Sequence, residues 1–177
     1  MAKKKIPQIV KDIRNTPNRE VNYATEKAIS YSQMSMYRSC PKKWALHYRD
    51  GHKISEQSIH MTFGTAMHEA LQHYLDIMYE RSAAEADRMN IEEYFEDSLR
   101  KIYLNDYKRN KNVHFSDPAE INEFYEDGLE ILRTFKKKRG QHFTKKGWHL
   151  IQCELPILIT PNPEYNSVLY RGYLDVV

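Results

Sequence analysis

A glycine opens a helix in the run Phe63-Gly64-Thr65-Ala66-Met67-His68-Glu69-Ala70-Leu71, and a histidine follows one turn later among its apolar residues. Ala66, Met67, Ala70, Leu71, Tyr74, Leu75 and Met78 recur at helical spacing. That period predicts a helix from about 64 to 80, with His68 at the edge of its apolar stripe. A single histidine there is open to two readings, a hydrogen-bonded core residue or a ligand. What singles it out is its company: a Ser-x-Ser and Cys-Pro segment upstream, and Glu-x-Pro and Gly-x-x-Asp strands downstream.

Upstream, residues 1–28 carry Pro7, Pro17 and no sustained period, and read as a flexible basic arm or lead-in. Ser30 and Ser32 offer an N-cap for a short helix bearing Met34, Met36 and Tyr37. Pro41 can open a second helix at its first position, with Trp44, Ala45 and Tyr48 as its apolar face and Asp50-Gly51 as its stop. Residues 52–62 read as a polar connection.

Downstream, Asn90-Ile91-Glu92-Glu93 and Asp117-Pro118-Ala119-Glu120 have the pattern of capping boxes. The first starts a helix to about Arg109, and the second a longer one stopped at Gly140. The period then changes. Residues 148–159 (Trp148 to Ile159) and 168–177 (Val168 to Val177) are β-rich, with a turn at Pro161-Asn162-Pro163 and Tyr165-Asn166 between them. An antiparallel pair is expected. The chain therefore reads as an α+β fold: one domain over 29–177, helical over 29–140, followed by the first two strands of a mixed sheet.

Composition permits several functions and excludes others. A chain of 177 residues can bury a core. No apolar run is long enough to cross a bilayer, and no apolar signal core follows the basic start, so a cytoplasmic protein is expected. Two cysteines, Cys40 and Cys153, make no disulfide framework and fit a reducing compartment. The formal net charge of +3 allows a polyanionic partner without requiring one.

Glu154 and Asp175 each sit in an apolar strand, where a carboxylate is costly unless paired or bound to a cation. If the strands are neighbours, both acids reach one point. A histidine from the preceding helix would complete a mixed oxygen and nitrogen site suited to Mg²⁺ or Mn²⁺. The plainer reading makes Glu154 a solvent-facing strand residue. Gly172 clears space near Asp175, whose neighbours Leu174, Val176 and Val177 are apolar.

Taken in order, Ser30-x-Ser32-x4-Tyr37-x2-Cys40-Pro41-x2-Trp44, Gly64-Thr65-x2-His68, Glu154-x-Pro156 and Gly172-x2-Asp175 resemble the RecB-like branch of the PD-(D/E)XK nucleases. That branch includes the nuclease domains of RecB and AddB, CRISPR adaptation nucleases and phage exonucleases. The resemblance implies metal-dependent hydrolysis of DNA phosphodiesters, as an exonuclease, in replication, recombination or repair. It also implies that His68 is a helix-borne metal ligand, that Asp175 binds the catalytic metal, and that Glu154 shapes the metal site. The family follows these with an Asp/Glu-x-Lys strand, whereas Val176 and Val177 alone follow Asp175. The expectation is that this chain by itself is inactive or impaired. The missing strand would come from a longer natural protein or a second polypeptide, and a recombination or replication protein is a candidate partner. In several relatives a cysteine at the place of Cys40 joins three others around an iron–sulfur cluster. Two cysteines fall short of the four thiolates such a cluster takes, which argues against one here.

The run Lys136-Lys137-Lys138-Arg139, continued by Lys145 and Lys146, contains no acid. It is either a solvated helix end, whose cations favour the C-terminal dipole, or a sequence-independent contact to DNA phosphates. Two rival readings stand beside the nuclease: a nucleic-acid-binding or assembly module that kept the fold without catalysis, and a helical interaction protein. A phage origin, with the host cytoplasm as location, fits the Lys- and Tyr-rich sequence.

Overall fold

Among the described residues three strands, one more than the sequence announces, make the sheet. The computed structural model describes residues 6–17, 19–52, 57–144, 146–161, 164 and 168–177. These fall into two units. One joins residues 1–55 to 151–177, and the other spans 56–150.

In the first unit, β3 (Val168–Val176) lies between β1 (Lys27–Ser30) and β2 (Cys153–Ile159). The β2–β3 pair is antiparallel, as expected, with Leu155 opposite Leu174 and Ile159 opposite Tyr170. β1 runs parallel to β3, from Lys27 opposite Val168 to Ser30 opposite Arg171. Four residues of mixed polarity carry no readable period, so β1 owes its existence to β3's open edge rather than to its own pattern. The regular strand β2 begins at Cys153, five residues after the expected start at Trp148, with Ile151 and Gln152 already bonded to Val177 through the backbone. Trp148 has the propensity but no ladder partner, and it is exposed. Of the expected turn, Asn162, Pro163, Tyr165 and Asn166 lie outside the described residues.

The lead-in is not an arm throughout. Gln8–Asn15 form α1, which buries Val10, and the Arg14 guanidinium donates to the Ile151 carbonyl at 3.1 Å. α2 (Tyr31–Ser39) begins where expected, with the Ser30 hydroxyl accepting from the Gln33 amide. α3 (Pro41–Trp44) runs on into one wide π turn, Ala45–Arg49. Its cap is sulfur: the Cys40 thiol accepts from the Lys43 amide at 3.4 Å. Tyr37 meets Trp44 edge to face at 5.5 Å between ring centroids. The Ser30 to Trp44 motif thus has a local structural use, capping two short helices and packing one against the other.

The second unit is helical. α4 (Ile59–Glu80) is capped by Ser58 and starts five residues before Gly64, which therefore lies inside the helix. A glycine costs a helix about 1 kcal/mol, and the burial of Ile59 and Thr62 on the added turn offsets it. A short helix, α5 (Ala83–Arg88), follows on Ser82. α6 (Ile91–Arg109) and α7 (Pro118–Lys138) start on the two expected caps, Asn90 and Asp117. Tyr74, Met78, Ile91, Phe95 and Leu132 form the core among α4, α6 and α7. Gly128 permits the close approach of α7 to α6: a Cβ there would stand 2.4 Å from the Phe95 ring.

Among the described residues of this unit the buried side-chain polar atoms are paired. The Thr62 hydroxyl donates to buried Asp106 at 3.0 Å. Tyr74 donates to Asp87 at 2.6 Å, and Arg139 donates to both. Burial pushes the Tyr74 phenol well up, and its bond to Asp87 adds to that. Burial alone would raise the Asp87 carboxyl, but hydrogen bonds from Tyr74 and Arg139 outweigh it and hold the group below the usual carboxylate range.

Candidate metal centre

The β2–β3 ladder carries the acids. Cys153 pairs with Val176 and Leu155 with Leu174, which leaves Glu154 directly opposite Asp175. A carboxylate oxygen of each lies within 4.8 Å of the other, and both side chains are exposed. Like charges placed opposite each other across a strand pair destabilise it. A cation between them reverses that sign.

Glu154 also has an unusual backbone. Its φ is +54°, the left-handed region, inside a strand. The register on either side stays in step, so no extra residue has been inserted. A residue with a side chain in that conformation costs on the order of 1–3 kcal/mol. Such strain concentrates where a side chain must be aimed, and here it falls on one of two facing acids.

The donor chemistry fits a hard divalent cation. Carboxylate oxygens suit Mg²⁺ and Mn²⁺, and exposure leaves room for the waters and substrate oxygens that such ions keep. His68 belongs to the other unit, on α4, and is exposed. Its exposure removes the core-histidine reading.

The basic run is divided by the structure. Lys136 donates to the Asp87 carbonyl at 3.0 Å and Arg139 is committed to Tyr74 and Asp87, so both serve the helical unit. Lys137, Lys138 and Lys146 are exposed. Lys145 lies outside the described residues. No helix among the described residues is long and apolar enough to cross a membrane.

Sequence reasoning passed over two neighbours of Asp175. Side chains alternate along a strand, so Arg171, Tyr173 and Asp175 share a face of β3. Their spacing of two was the available signal.

Residues 28–177 match the family model of the PD-(D/E)XK nuclease superfamily. No curated protein and no solved structure matches the chain.

Proposed function

Since this chain belongs to the PD-(D/E)XK nuclease superfamily, we propose that it takes part in metal-dependent hydrolysis of DNA phosphodiesters inside the cell, as an exonuclease of the RecB-like branch. The observation that supports this most is the facing pair Glu154 and Asp175. Asp175 and Glu154 hold Mg²⁺ or Mn²⁺ through their carboxylates. His68 adds an imidazole donor, by the order of motifs in the sequence. When bound, the cation polarises the scissile phosphate and lowers the pKa of an attacking water. The two carboxylates fix its position, and the strained backbone of Glu154 aims one of them. Exposed Lys137, Lys138 and Lys146 bind phosphates in a salt-sensitive and sequence-independent way.

A thermal melt with and without Mn²⁺ tests the site, because an ion that binds only the folded state raises the midpoint. The parent is expected to shift. Asp175→Asn and Glu154→Gln are expected not to, and His68→Ala to shift less. Equal shifts in all four proteins would sink the metal site. Slow release of labelled nucleotides from single-stranded DNA with Mn²⁺ by the parent, impaired without the Asp/Glu-x-Lys strand, and none by Asp175→Asn, tests the hydrolysis.

A further inference from the structure

β3 continues away from the carboxylate pair with two exposed side chains on the same face. Tyr173 stands opposite Pro156 and is 55% exposed. Arg171 stands opposite Leu158 on one side and Ser30 on the other. Alternate residues on a strand lie about 7 Å apart, so Asp175, Tyr173 and Arg171 step along the sheet at that interval. The Arg171 guanidinium donates to the Tyr23 hydroxyl at 3.0 Å. That bond uses one of five N–H donors and anchors a head group that stays exposed. Among the described residues no carboxylate forms an ion pair with Arg171, unlike Arg49, Arg100, Arg133 and Arg139.

An exposed aromatic side chain beside an anchored cation is the equipment for an unpaired nucleic-acid strand. Every base has a π-face that stacks on an aromatic ring, and the strand's phosphates seek a guanidinium. In a duplex the base faces are already stacked on one another, so the ring would have nothing to hold.

We propose that Tyr173 and Arg171 form a subsite for a single strand running along β3, with Tyr173 stacking on a base and Arg171, held by Tyr23, binding a phosphate. The placement relative to the reacting phosphate rests on the nuclease reading. The binding itself does not. One occupant fits: the negative strand matches Arg171, and its path continues directly from the carboxylate pair. The subsite selects unpaired ends over duplex.

The test is fluorescence anisotropy of a labelled oligothymidylate and of a blunt duplex, both in EDTA, with the full chain. The parent is expected to bind the single strand more tightly than the duplex. Tyr173→Ala is expected to weaken oligothymidylate binding about 5- to 150-fold, the range for loss of one stacked base, and to leave duplex binding as it was. Tyr173→Phe and Tyr173→Trp keep the ring face and should bind like the parent, which separates stacking from a folding defect. Arg171→Gln should reduce the salt slope by about 0.7, the value for one phosphate contact on a single strand. The proposal is overturned if the parent does not bind oligothymidylate, if Tyr173→Ala binds it as the parent does, or if Tyr173→Ala loses single-strand and duplex binding alike. Because no metal is present, a failed Mn²⁺ melt leaves this result standing. A positive melt with an inert Tyr173→Ala removes the subsite and keeps the metal centre.

Discussion

Glu154 faces Asp175 across β2 and β3, with Glu154 held in left-handed backbone at φ +54°. Charge repulsion and backbone strain therefore meet at one point of the sheet. Each has a consequence that can be measured without substrate.

Glycine adopts a left-handed φ without a steric penalty. Glu154→Gly is expected to be more stable than Glu154→Ala by roughly 1 kcal/mol in EDTA, the reverse of the usual order inside a strand. Urea unfolding of the two variants decides it. Equal midpoints, or Ala above Gly, would show that residue 154 is not strained in solution. Both variants should lose the Mn²⁺ shift, because both lack the carboxylate.

Asp87 and Tyr74 make the helical unit sensitive at both ends of the pH scale. The folded Asp87 carboxyl is held below its usual range. Its stabilisation is therefore present above about pH 4 and is lost as pH falls through the folded value. Burial, and then the bond to Asp87, raise the folded Tyr74 phenol. Its stabilisation is present below about pH 10 and is lost above, where the unfolded tyrosine ionises and the folded one does not. A plot of Tm against pH should flatten on its acid limb in Asp87→Asn and on its alkaline limb in Tyr74→Phe. Curves parallel to the parent would argue against the network.

Gly128→Ala places a methyl group against the Phe95 ring, where there is no room for it. A loss of about 1–3 kcal/mol is expected from overpacking. The urea midpoint should fall while the slope of the transition stays the same. Gly64→Ala is the control: a Cβ there meets nothing within 4 Å, and a helix interior favours alanine by roughly 1 kcal/mol.

Asp106→Ala removes the acceptor of the Thr62 hydroxyl, which is fully buried. Leaving that donor with a poorer partner should cost about 1–3 kcal/mol. Thr62→Val in the same background removes the hydroxyl left with only the Ser58 carbonyl at 3.4 Å, and part of the loss should return. A double-mutant cycle showing no coupling between the two positions would contradict the hydrogen bond.

The caps were legible because they act over three or four residues. Ser30, Asn90 and Asp117 each start a helix where the sequence places the start. Gly64 misled, because a weak local preference yields to burial of Ile59 and Thr62 one turn earlier. Glu154 and Asp175 could be picked out as acids in apolar strands. The left-handed backbone of Glu154 could not, since no local rule places a glutamate there.

By itself the sequence determined the order of the long helices and of the β2–β3 pair, the helix starts at Ser30, Asn90 and Asp117, the change of period after residue 140 and the two acids worth watching. These depend on spacing and on neighbours along the chain. Tertiary structure alone decided that β1 pairs with β3, that Lys136 and Arg139 are drawn into the helical unit, and that the β2–β3 register sets Glu154 opposite Asp175. Each of those depends on a register or a partner distant in sequence. Hydrogen-bonded ladders and ion pairs are chosen by what the fold brings opposite a residue, and the local pattern does not carry that information.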